Sequence, residues 1–160
     1  MHENFLQTLQ THRAAICTRW DVLLRAEPAS SPLANPDTLV HLMPWTLDHL
    51  ATELRRPRLR RRPDSSLSPP VCPCGYNPLL RYFATAERAL VETLFVNTRS
   101  LAELTPIVRE TGLHELKLAL ARLAHGEIES FCAVCQRRNT AASTPASASA
   151  ANPSSRPVAH

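Results

Sequence analysis

Glycine is scarce in this chain, with three residues in 160. Tight β-turns lean on glycine, so its scarcity speaks against an all-β fold and for helices joined by Pro-marked loops. Lysine is scarcer still: Lys117 stands alone, and the other basic residues are all arginine. No apolar run approaches the about 20 residues that cross a bilayer. The stretch from Met1 to Gln10 lacks a basic segment followed by an apolar core. Neither a membrane span nor a secretory leader is expected, and the expected compartment is the cytoplasm. Also lacking are a Gly-rich phosphate loop, a nucleophile elbow, a His-Glu-x-x-His helix and a motif of paired carboxylates. Enzymatic chemistry has no positive support from these residues.

What is present is a 44% hydrophobic chain with a formal charge of +4. Its length suffices for one domain with a real core. The patterning predicts an all-α fold: a single bundle of about five helices over residues 1–138, followed by a disordered tail over 139–160. A first helix is predicted from Glu3 to Ala26, with Phe5, Leu9, Ile16, Trp20, Leu23 and Leu24 on one stripe. Asn35-Pro36 reads as an N-cap followed by proline in the first turn of a second helical region. That region runs to Arg56 with Leu39, Leu42, Leu47, Leu50 and Leu54 inward, and Pro44 breaks or kinks it near Met43.

A third helix is predicted from Asn77-Pro78 to Asn97, with Leu80, Phe83, Ala84, Ala86, Leu90, Leu94 and Phe95 on its apolar face. A short fourth is expected over Leu101 to Glu110, ended by Gly112. The last runs from Leu113 to Arg137 and turns Leu116, Leu120, Leu123, Ala124, Ile128 and Phe131 inward. Beyond Asn139 the composition falls to Ala, Ser, Thr and Pro, with no apolar periodicity left to drive folding.

Residues 55–71 differ in character. Arg55, Arg56, Arg58, Arg60, Arg61 and Arg62 precede a Pro- and Ser-rich stretch. They offer an anionic partner, nucleic acid included, a basic surface. Without interleaved aromatics to stack bases, a solvated loop is the simpler reading.

The chemically informative feature is the placing of four of the five cysteines. Cys72 and Cys74 form C-x-C, Cys132 and Cys135 form C-x-x-C, and 57 residues separate the pairs. Tetrahedral zinc takes four thiolates, and two short segments of this kind can supply two each. The first pair lies just before the third helix and the second near the end of the last, so antiparallel packing of those helices brings the pairs together. Pro73 restricts the backbone between the first two sulfurs, and Gly75 permits a tight turn after them. Arg81, Arg137 and Arg138 are candidates to offset the thiolate charge. One zinc ion on the four cysteines is the leading expectation, with an iron–sulfur cluster as a minor alternative. A thiol–disulfide switch and unconnected thiols are the competing readings.

Cys17, on the stripe of the first helix, is expected to be a buried small hydrophobe. Trp20 and Trp45 are expected in the core where the first two helical regions meet. The histidines are scattered, and His125 with Glu129 one turn later is expected to make a local contact.

Two resemblances bear on function. The C-x-C plus C-x-x-C pairing resembles the zinc centre of the redox-regulated heat-shock chaperones, where oxidation releases metal. The Arg13-x-x-Ile16-x-x-x-Trp20 helix followed by Leu42-x-Pro44 resembles the N-terminal sensor domain of stressosome-type RsbT co-antagonists, over residues 3–56. That second likeness implies a helical, globin-like fold without haem, often dimeric, acting in bacterial stress signalling. The expected function is a non-enzymatic zinc-binding sensor or interaction module whose partner is a protein or a second copy. A thiol/zinc redox switch and a small metal-dependent enzyme are the alternatives.

Overall fold

The structure, a computed structural model, describes residues 2–28, 34–56, 77–96 and 105–142, with side chains placed except at 2–4, 96 and 136–142. Cys72, Cys74, Arg58, Arg60, Arg61, Arg62 and the predicted tail beyond residue 142 lie outside the described residues. Among the described residues the fold is all-α, with no strand. Its elements are α1 (His2–Thr11), α2 (Arg13–Ala26), α3 (Pro36–Leu39), α4 (Met43–Arg55), α5 (Pro78–Val91) and α6 (Pro106–Ala142). A 3₁₀ turn, Val40–Leu42, joins α3 to α4, and a π-helical turn, Glu92–Val96, continues α5. Five of the helices have ten or more residues, and α3 is a single turn.

Both Asn-Pro starts behave as the sequence predicts. Asn35 Oδ1 accepts from the Asp37 amide and Asn77 Oδ1 from the Leu79 amide, each at 3.0 Å. In both, proline then occupies the first helical position, where its missing N–H costs nothing.

Packing centres on α5, which lies against α2 and α6, while α4 packs on α6 and α1. Trp20 is fully buried, with its ring centroid 4.6 Å from that of Tyr82. Its indole N–H is satisfied by the Tyr82 carbonyl at 3.2 Å and the Thr85 hydroxyl at 3.1 Å. The Tyr82 and Thr46 hydroxyls meet at 2.8 Å, and Thr46 donates to the Leu42 carbonyl at 3.0 Å. Burial holds the Tyr82 phenol far above its ordinary range, so it serves this core as a neutral hydrogen-bonding group. Where α2 passes the π turn, Arg19 pairs with Glu92 at 2.6 Å, and Arg88 joins it at 2.8 Å. Hydrogen bonds from Arg19 and then Arg88 lower the Glu92 carboxyl below its ordinary value.

Several expectations need correction. The single first helix is interrupted at His12, whose backbone (φ −96°, ψ 9°) leaves the helical range. The hydrogen bonds His12 N–H to Thr8 and Ile16 N–H to His12 persist, so the run bends rather than ends. On the far side of that bend, Leu6 and Leu9 are buried and Phe5 comes 5.9 Å from Phe95, centroid to centroid.

The second region does break ahead of Pro44, as expected, but Leu42 and Trp45 are outside the core, 40% and 39% exposed. A 3₁₀ turn advances about 120° per residue rather than 100°. The phase shift at Val40–Leu42 swings Leu42 outward and brings Met43 in. On α5, Ala84 is exposed, while Tyr82 and Ala89, absent from the expected face, are buried.

Gly112 ends nothing. It lies inside α6, and no separate helix stops there. A glycine in a helix costs about 1 kcal/mol relative to alanine, too little to stop a helix packed against α4 and α5. A Cβ at Gly112 would sit 4.0 Å from the Phe5 ring, so the position lies against α1. The helix also carries on to Ala142, beyond the predicted domain edge at 138 and four residues into the predicted tail.

Candidate metal centre

Contacts at three places along α5 and α6 fix how those helices lie. At one end Arg109 donates to the Phe95 carbonyl at 3.0 Å. In the middle Lys117 pairs with Glu87 at 2.9 Å. At the other end Asn77 Nδ2 donates to the Ile128 carbonyl at 3.4 Å and to Cys132 Sγ at 3.5 Å. Residue numbers rise along one helix as they fall along the other. The helices are antiparallel, and the start of α5 abuts the stretch of α6 that carries the second cysteine pair.

Cys132 and Cys135 are three residues apart on α6, a spacing that puts them on neighbouring turns of one helix face. Both are partly buried, and Cys132 packs against the hydrophobic core. Asn77, in contact with Cys132, is 3% exposed, and the amide–sulfur contact between them is partly buried. Helix formation explains this arrangement. The Asn77 oxygen is committed to the Leu79 amide, which fixes the amide plane and turns Nδ2 toward α6.

The Asn-Pro pattern predicts the cap at Asn77 but not its second role. A hydrogen bond across 55 residues depends on tertiary packing, which no local pattern encodes. The one available signal was the choice of asparagine, since aspartate and serine cap equally well but only the amide also donates an N–H.

The Arg81 guanidinium donates to the Pro28 carbonyl and lies 3.9 Å from Glu27, drawing α5 toward the end of α2. Arg137 and Arg138 have no described side chains. Of the arginine run, Arg55 closes α4, and Arg56 pairs with Glu53 at 2.6 Å.

Cys17 packs against the core, partly buried, and burial pushes its thiol up, which makes it a poor nucleophile. His125 meets Glu129 at 3.0 Å, the local contact expected. His49 stacks on Trp45, with centroids 3.9 Å apart, and bonds the Trp45 carbonyl at 2.9 Å. Among the described residues no three metal-ligating side chains converge, and two of the four expected zinc ligands lie outside them. No described helix is long and apolar enough to cross a membrane.

The chain matches no protein-family model, no curated protein and no solved structure.

Proposed function

We propose that this chain is a non-enzymatic zinc-binding helical module in which Cys72, Cys74, Cys132 and Cys135 hold one ion, acting as a sensor or protein-interaction domain in bacterial signalling. The observation that carries the zinc reading is the Asn77 amide seated on Cys132 Sγ. Cys74 is only three residues before Asn77, and extended chain covers at most about 3.6 Å per residue. Connectivity alone therefore keeps Cys74 within about 11 Å of the residue that touches Cys132. Four thiolates close the zinc shell, leaving no open position for a substrate, so the role is structural or regulatory rather than catalytic.

The signalling part rests on the resemblance over residues 3–56. Its two stretches touch: Arg13 donates to the Pro44 carbonyl at 2.9 Å and pairs with Asp48. Leu42, closing the 3₁₀ turn, and Trp45, three residues on in α4, are both exposed and supply apolar surface for a protein partner.

Metal analysis of the purified full chain tests the zinc reading. We expect one zinc per chain, lost in both Cys72→Ser and Cys135→Ser. A metal-free wild type, or variants that keep full zinc, overturns it. Release of that zinc by peroxide with disulfide formation would convert the structural role into a redox switch.

A further inference from the structure

We infer that Cys132 and Cys135 form, on their own, a two-thiol site on α6 that takes a trivalent arsenic compound across both sulfurs. The inference does not rest on the four-cysteine zinc reading, because both of its ligands lie on one described helix. Residues three apart on a helix have their Cβ atoms about 5–6 Å apart. A relaxed disulfide needs about 3.5–4.5 Å between the same atoms. The pair is therefore too wide for direct sulfur–sulfur bonding without bending α6, and neither cysteine is in a disulfide. One thiophilic atom set between the sulfurs closes the gap, since it adds a second bond to the span.

The surroundings suit an uncharged guest. One turn back from each cysteine stand Ile128, buried, and Phe131, half-buried, and such apolar neighbours favour a neutral ligand over a hydrated cation. The Asn77 amide donates to Cys132 Sγ at 3.5 Å, which holds that sulfur on the side of α6 facing the start of α5. Between the cysteines Ala133 and Val134 are exposed, so the pair borders open solvent. When an organoarsenous oxide, R–As=O, meets both thiols, two As–S bonds form, and both S–H bonds and the As=O bond break. The oxygen leaves as water with the two protons. Arsenic stays trivalent and neither sulfur is oxidised, so no further reactant is needed. A single thiol makes one such bond and loses it to competing thiols. Two thiols on one helix make the second bond intramolecular, worth about 100- to 10,000-fold in retention. Cys17, by itself on α2, is the molecule's own single-thiol control.

The test adds phenylarsine oxide to the full chain carrying Cys72→Ser and Cys74→Ser, which leaves three of the five cysteines. We expect one phenylarsenic group per chain by intact mass, with two thiols consumed. The adduct should survive excess glutathione and yield to a small dithiol. Adding Cys132→Ser or, separately, Cys135→Ser should weaken binding about 100- to 10,000-fold, while Cys17→Ser should leave it unchanged. Circular dichroism checks folding. Cys135 lies outside the core cluster, so Cys135→Ser tests the pair in a folded protein even if Cys132→Ser unfolds. An adduct that glutathione removes, or one held as tightly without Cys135, overturns the inference. A wild type that binds no zinc removes the zinc reading alone.

Discussion

Stripping zinc with a chelator is expected to lower the melting temperature of the wild-type protein by about 8–16 °C and to leave that of Cys132→Ser unchanged. The size follows from linkage. A ligand that binds only the folded state, present at about 1,000 times its dissociation constant, stabilises by about 4 kcal/mol. For a chain of this length each kcal/mol shifts the midpoint by about 2–4 °C. On the four-cysteine reading the serine variant lacks one ligand, so the chelator has nothing to remove and its midpoint should already lie near that of the stripped wild type. Helical circular dichroism should survive in both, because the core is built on Trp20, Tyr82 and Leu90, and Cys17 and Cys132 only pack against its edge, partly buried. Equal responses of wild type and variant to the chelator would contradict the account.

Truncating Trp20 to alanine should cost about 3–5 kcal/mol, a large share of the about 5–15 kcal/mol that folded domains hold. Trp20 is fully buried, stacks on Tyr82 and satisfies two acceptors through its N–H. Its removal leaves a cavity between α2 and α5 and takes away the N–H that the Tyr82 carbonyl and the Thr85 hydroxyl accept. Trp45 offers the contrast. It is 39% exposed and stacks on His49, so Trp45→Ala should cost less than about 1 kcal/mol. Urea unfolding of both variants measures the difference. Comparable losses would mean that the two tryptophans share the core after all.

Residue patterning carried the helical class and both Asn-Pro starts, because caps and apolar stripes are local properties. It also carried most of the buried set: Ile16, Trp20, Leu50, Leu90, Leu116 and Ile128 are all in the core. It failed where tertiary packing overrode a local signal. Gly112 has the local signature of a stop, but a glycine penalty of about 1 kcal/mol is small against the burial of Leu116, Ala119 and Leu120 just beyond it. Helical spacing turns Leu42 inward and the meeting of two helical regions puts Trp45 in the core, but a three-residue change of helical pitch leaves both outside it.

At the candidate site the sequence supplied the sulfurs and the prediction that two helix ends meet. The antiparallel run of α5 and α6 agrees with that geometry. What it could not supply was the Asn77 donor, or the contacts of Arg81 with Glu27 and Pro28. Both are long-range choices among partners that only the folded chain brings within reach.

Zinc-edge X-ray absorption on the purified protein tests the central claim most directly. The account predicts a single shell of four sulfurs at about 2.3 Å. A shell containing nitrogen or oxygen, or fewer than four sulfurs, would contradict it.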